Sequence, residues 1–361
     1  MTARSPIARG VIAAVLAALA FGASTPIVAW AGRGLGPFTT AALLYLGAAA
    51  TALVLRATMP RAEVRLRRSD LPRVLAVALV GGAIAPTLLA WGLQRSGATL
   101  GALVLNLEAV FTVFLARAVY REPIGPRVAV AVAAMVLGGA ALTLDAWSSP
   151  RWGVAGLLAV VGATAAWALD NTLTRPLAER DPLEVVAAKG FLGGAATLAV
   201  ATASGSALPP LGPALVLLGC GATGYGLSLR LYLLAQRRIG AGRTGSVFAL
   251  APFVGAALAY ALGERTAGPF TLLACALFAA GVYLHVSERH GHPHLHPATS
   301  HEHVHRHDDH HHDHRHEPPV VGEHAHRHSH DPVEHEHEHA PDLHHDHDHD
   351  PAAGDPPLRV D

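Results

Sequence analysis

Ala98-Thr-Leu-Gly-Ala-Leu-Val-Leu-Asn106-Leu-Glu108-Ala-Val-Phe-Thr-Val-Phe-Leu-Ala-Arg-Ala-Val119 is a run of 22 residues with one carboxylate, Glu108, near its middle. A hydrocarbon core about 30 Å thick takes about 20 apolar residues at 1.5 Å each, so this run has the length of one membrane-spanning helix. Runs of the same kind recur at about 8–30, 37–55, 72–93, 127–145, 153–170, 183–204, 211–235, 243–262 and 267–286, which predicts ten spans in all. The connectors are short and carry helix breakers, among them Gly36-Pro37, Glu122-Pro123, Ser149-Pro150, Asp181-Pro182 and Pro209-Pro210. Composition points the same way: 51% of the 361 residues are hydrophobic and 15% are charged, a balance suited to lipid as solvent. The expected fold class is an all-α membrane protein. Ile7 to Trp30 reads as a retained first span rather than a removed leader. Cys220 and Cys275 sit in apolar stretches with no CxxC pattern, so they read as packing residues.

Charge divides the chain in two. Met1 to Arg289 holds 23 Lys+Arg against 11 Asp+Glu, whereas His290 to Asp361 holds 4 against 16. Within the body, alternate connectors place 17 arginines on one side of the membrane, including Arg56, Arg61, Arg65, Arg67, Arg68 and Arg73. Only Arg33, Arg95, Arg151 and Arg265 fall on the other. Basic residues mark the cytoplasmic face. Both termini are therefore expected in the cytoplasm, in a multi-pass protein of a bacterial-type inner membrane. The same bias accounts for the Arg65–Arg68 cluster without nucleic acid, and no nucleic-acid partner is expected.

The chain also compares with itself at a shift of 142–146 residues. Gln94-Arg95 recurs as Gln236-Arg237, and Tyr120-Arg121-Glu122 as Leu262-Gly263-Glu264. Phe111 falls on Phe253, Gly139 on Gly281 and Phe21 on Trp167. Five spans per repeat is an odd number, so the halves must be inverted relative to one another. The expected organisation is a first five-helix repeat at 8–145, a second at 153–286 and a tail at 287–361. Inverted repeats are how secondary transporters build a midplane site and open it alternately to each side.

The run Asn106-Leu-Glu108-Ala109-Val-Phe111, with Glu122-Pro123 after it, resembles the end-of-repeat signature of EamA-type members of the drug/metabolite transporter superfamily. Ala251-Pro252-Phe253 and Gly263-Glu264-Arg265 carry the second copy. The resemblance covers about residues 8–286 and implies ten helices around a central cavity lined mainly by spans three, four, eight and nine, with help from one and six. Two features depart from the pattern: Ala109 stands where the family has proline, and the tail has no counterpart.

An ionisable group inside a span costs several kcal/mol unless it faces protein or water. Glu108 lies about 15 Å from either end of its span by the helical rise and is the sharpest candidate for proton or substrate coupling. Asn106 sits about 200° around the helix from it, while Thr112 is one turn on and on the same face. Lys189, the only lysine, and Arg230 lie about two turns into spans seven and eight, with Asp170 and Asn171 ending span six on the same side. They read either as snorkelling cations or as a vestibule for an anionic or zwitterionic substrate. Gln94 and Gln236 end spans three and eight, as helix caps or substrate contacts. No nucleophile elbow or P-loop occurs, so neither an enzyme nor a nucleotide-driven pump is expected.

The tail repeats His-x-His with acids between. Candidate ligands for Zn, Ni, Co or Cu are His301, His303, His305, His310, His312, His314, His324, His326, His328, His335, His337, His339, His345, His347 and His349. Prolines and the lack of a core predict a disordered tail. It reads as serving metal delivery, metal sensing or pH response, since protonating its histidines reverses its charge, or as a low-complexity expansion without function. No obligatory cofactor is expected. The leading expectation is a secondary transporter that exports a small metabolite or drug-like solute, its partners being the bilayer, that solute and divalent metals at the tail. Divalent metal efflux (Zn, Ni or Co) and a non-transporting metal-sensing scaffold stand as alternatives.

Overall fold

Prolines open five helices of the apolar body: Pro6, Pro37, Pro126, Pro182 and Pro269 each stand at a first helical position, where the missing N–H has no intrahelical partner to lose. A computed structural model describes residues 6–58, 63–120, 124–148, 153–177, 180–239, 241–264, 268–286, 290–296, 299–305, 324–330 and 333–339. The helices are α1 (Pro6–Ala31), α2 (Pro37–Thr58), α3 (Arg68–Ser96), α4 in two pieces, α4a (Ala98–Val104) and α4b (Leu107–Tyr120), α5 (Pro126–Ser148), α6 (Val154–Thr174), α7 (Pro182–Ala203), α8 (Leu211–Gln236), α9 in two pieces, α9a (Ala241–Phe248) and α9b (Ala251–Ala261), and α10 (Pro269–Val286). Eight runs, α1 to α8, are long and apolar enough to cross a membrane, and residues 251–261 and 269–284 form two shorter apolar helices. Ten apolar elements therefore stand where ten spans are expected, with the ninth and tenth shorter than a full crossing.

Helix ends follow local chemistry. Asp181 caps α7, its carboxylate accepting the Leu183 N–H at 2.8 Å. Gly97, at φ 81°, turns the chain from α3 into α4a through a conformation that a Cβ disfavours.

Four helices are interrupted part-way. α3 holds a π turn at Val80–Ile84 and α8 another at Gly221–Leu227. α4 breaks at Leu105–Asn106 and α9 at Ala249–Leu250. The ring of Pro86 crowds the carbonyl of Gly82 four residues back, and that of Pro252 crowds Phe248, the last residue of α9a. In α4, which has no proline, the Asn106 side chain donates to Leu103 O at 3.0 Å and competes with the helix. The paired interruptions lie 141 and 144 residues apart, close to the shift at which the sequence matches itself.

Backbone contacts recur at nearly the same shift. A Cβ on Gly82 of α3 would lie 3.0 Å from Lys189 O of α7, and one on Gly221 of α8 would overlap Leu44 O of α2. Gly10 of α1 meets Arg238 and Ile239 in the last turn of the helix Ser228–Ile239 that completes α8, while Gly156 of α6 meets Arg95 and Ser96 at the end of α3. α5 and α10 pack as a peripheral pair, with Gly138 against Phe278 and Gly281 against Met135. Large apolar side chains such as Leu53, Val136, Leu158, Phe191 and Leu272 stay exposed, as lipid-facing positions should.

β1 (His290–His296) pairs antiparallel with β4 (Val333–His339), and β2 (Thr299–His305) with β3 (His324–His330). Alternation of histidine with other residues has the period of a strand, not of a helix. The registers set His292 opposite His337, His294 opposite His335, His301 opposite His328, His303 opposite His326 and His305 opposite His324. His310, His312, His314, His345, His347, His349 and Glu122 lie outside the described residues.

Candidate functional site

The break in α4 decides where its carboxylate sits. Glu108 falls in the first turn of α4b, where unsatisfied N–H groups and the helix dipole favour negative charge even in mid-span. Asn171 of α6 donates its side-chain N–H to Glu108 Oε1 at 2.7 Å. Next to it, Asp170 forms an ion pair with Lys189 of α7. Asp170 and Lys189 are 3% and 4% exposed, so Lys189 is held inside the bundle and does not snorkel. Asp170 Oδ1 has no hydrogen-bond donor and abuts Gly81, where a Cβ would overlap the carboxyl group.

Gly81 belongs to the π turn of α3, and its carbonyl accepts from the Tyr45 hydroxyl and from Trp167 Nε1, the latter at 3.2 Å. One freed backbone oxygen thus ties α2 and α6 to α3. Around it gathers an aromatic cluster. Phe21 packs edge-on against Trp167 at 5.8 Å and against Tyr225 at 5.5 Å, and tilted on Phe248 at 5.5 Å. Tyr45 reaches Tyr225 at 5.6 Å and Tyr232 reaches Phe248 at 5.0 Å. Phe21 and Trp167, matched by the sequence shift, meet here. The Tyr225 hydroxyl is buried without a hydrogen-bond partner.

Glu108 is half-buried beside Asn171 of α6. α4a packs on α9b, with a Cβ on Gly255 coming 3.2 Å from Ala102. Glu264 seals that end, its two oxygens accepting from the Ala98 and Thr99 N–H groups at 3.1 and 3.2 Å. Gln94 adds bonds from α3 to Gly32 O and Leu35 O at 3.0 and 3.1 Å. At the other end α4b keeps to α5 and α6, and α9a to α1, α8 and α10.

The remaining candidates scatter. Thr112 bonds back to Glu108 O at 2.8 Å and stays within its own helix. Asn106 closes the break in α4. Gln236 lies near Tyr232, and Gln94 caps the end of α1. Arg230 is half-buried and lies within reach of Glu63 and Asp181, so it does not join Lys189. Sequence reasoning missed Tyr45, Tyr225, Gly81 and Phe248, and also an ionic cluster where α2 and α7 meet. There Arg56 pairs with Asp181 at 3.1 Å and with Glu184, Arg65 pairs with Glu184 at 3.1 Å, and Arg180 pairs with Asp70 at 2.9 Å. The signal was present as acids within arginine-rich connectors. Among the described residues, no group of three or more His, Cys, Asp or Glu gathers as a metal site.

The EamA-like transporter family matches the chain twice, over residues 8–144 and 154–287. The chain belongs to the EamA-like transporter family. Its two matches fall on the two five-element halves. An "Uncharacterized transporter" of Methanothermobacter thermautotrophicus (strain Delta H) is 27% identical over 281 residues, covering 73% of this chain and 81% of the relative. A solved crystal structure superposes with a TM-score of 0.59 at 18% identity, covering 77% of this chain and 96% of that one, which speaks to fold alone. As an EamA-like protein the chain is a multi-pass membrane transporter with a small-molecule substrate.

Proposed function

We propose that this transporter exports a small metabolite or drug-like solute from the cytoplasm, by alternating access between two inverted five-helix halves. One observation carries the reading: Glu108 stands at a mid-span helix break, half-buried and hydrogen-bonded to Asn171. Broken helices at corresponding positions of two halves are where such proteins bind solute, and the matching interruptions of α3 with α8 and α4 with α9 support that geometry. The bonds from Glu264 to the Ala98 and Thr99 N–H groups would close one end of such a site. With no nucleotide-binding motif, the gradient of a solute or ion drives the cycle, and Glu108 couples it. Asp170 and Lys189 hold α6 to α7 behind that carboxylate.

The test is flux in liposomes containing the purified protein, screened over amino acids, nucleosides and divalent metals. Glu108→Gln is expected to lower flux of the transported solute at least tenfold while thermal unfolding stays within a few degrees. Unchanged flux in the variant would remove Glu108 from the mechanism.

The tail fits a metal-binding regulatory segment. Its strand registers set histidine opposite histidine, and imidazole is a ligand suited to Zn²⁺, Ni²⁺, Co²⁺ or Cu²⁺. Zinc titration of the full chain against one ending at residue 289 separates the tail from the body. Loss of binding with unchanged flux makes the tail accessory, whereas metal-dependent flux makes it regulatory.

A further inference from the structure

We propose that each of the two tail ladders is one metal-binding unit, in which a divalent transition ion takes histidines from both strands and closes distant segments onto one another. The proposal rests on the metal-binding reading of the tail and deepens it to the ligand sets and to the coupling of binding with strand pairing.

Strand register sets the ligands. β1 and β4 face one another as His290↔His339, His292↔His337 and His294↔His335. β2 and β3 do so as His301↔His328, His303↔His326 and His305↔His324. Residues two apart on a strand share a face, as do residues directly opposite across a pair. Each ladder therefore has one face with three histidine pairs in a row. The ladders also keep a common register, because from His296↔Val333 to Thr299↔His330 both strands advance by three residues.

The other face offers little to hold the strands. There Gly291, Pro293 and Leu295 stand opposite Glu338, Glu336 and Glu334. In the second ladder Ser300, Glu302 and Val304 stand opposite Ser329, Arg327 and Ala325. An isolated two-stranded pair is marginal in water at best, and neither ladder has an apolar face to add. A ligand shared across the histidine face supplies the missing tie. Neutral imidazole suits Zn²⁺ and its neighbours, and four ligands complete a closed tetrahedral site. Two successive facing pairs, such as His292↔His337 with His294↔His335, provide that set, so a row of three pairs takes one ion. No set of three or more is gathered beforehand among the described residues. The ion gathers it, and binding and pairing become one event, joining positions as far apart in sequence as His292 and His337.

The test uses the full chain in detergent, in a background without Cys220 and Cys275, with Zn²⁺ as the probe. Spin labels at Gly291→Cys and Glu338→Cys report the first ladder. Zinc is expected to turn a broad distribution of distances into one short distance, and chelation to reverse it. A distance that zinc leaves unchanged overturns the proposal. Metal analysis of unlabelled protein then separates sharing across the strands from binding along each strand. Replacing His290, His292 and His294 by Asn should remove one tightly bound ion, and so should replacing His335, His337 and His339. Replacing all six should still remove only one, because both strands serve the same ion. Losses that add between the strands, or no loss in either, overturn the proposal. A chain ending at residue 289 keeps the two readings apart. Zinc binding that survives this truncation sinks the tail reading itself, whereas zinc lost on truncation but not shared across strands sinks the ladder alone.

Discussion

In the second half of the chain, α6 and α7 bring Asp170 against Lys189, while at the matching positions of the first half α1 and α2 hold Ser24 and Leu44. The backbone around the two places is alike. Gly81 lies against Asp170 and Gly224 against Ser24, and Gly82 meets the Lys189 carbonyl as Gly221 meets that of Leu44. Side chains differ where main-chain packing does not. Ser24 bonds only within its helix, to Phe21 O at 2.6 Å. Close packing of glycine on backbone can therefore be duplicated to give two similar hinges, while a single ionic pair and a single carboxylate make the centre one-sided in charge. A symmetric frame suits motion, and an asymmetric charge suits binding.

Lys189→Met tests that contrast most strongly. Leaving Asp170 buried without its cation should cost about 3–5 kcal/mol, read as a large fall in unfolding temperature in detergent. Leu44→Met at the matching position should cost less than about 1.5 kcal/mol. Combining Asp170→Asn with Lys189→Met should recover most of the loss, and failure to do so would mean that the pair does more than balance charge. Gly82→Val should cost about 1–3 kcal/mol through overpacking and Gly221→Val more, because a Cβ there overlaps Leu44 O whereas one at Gly82 stays 3.0 Å from Lys189 O; the reverse order would break the comparison. Glu264→Gln weakens the seal on α4a by about 0.3–1 kcal/mol. In a background without Cys220 and Cys275, a cysteine at Ala102 should then be labelled faster. Arg65→Ala is expected to change stability by less than about 1 kcal/mol, because that side chain is 74% exposed.

The membrane helices were legible because apolar length and proline placement are local properties. Pro37, Pro126, Pro182 and Pro269 mark starts to within a residue or two. Glu108 was legible for a similar reason: one acid in a 22-residue apolar run has few readings. The interruptions were harder. Val80–Ile84 reads as ordinary helix unless Pro86 is weighed against the carbonyl four residues before it, and the break at Leu105–Asn106 has no proline at all. Pairing was harder still. Lys189 was grouped with Arg230 by depth alone, whereas the fold turns Lys189 toward Asp170 and leaves Arg230 near Glu63 and Asp181. Depth along a helix can be counted from sequence, but azimuth relative to a neighbour depends on crossing geometry that no single segment encodes. The aromatic cluster draws its rings from α1, α2, α6, α8 and α9a and was invisible for the same reason.

The acceptor shared by Tyr45 and Trp167 is a main-chain oxygen, so every amino acid at position 81 would still supply it. What glycine adds is room for Asp170. Substitutions at that position can thus spare the tie among three helices while displacing the counter-charge of Lys189. Residue volume at one point in α3 becomes a dial on the electric potential of the transport path, set without altering a single ionisable group.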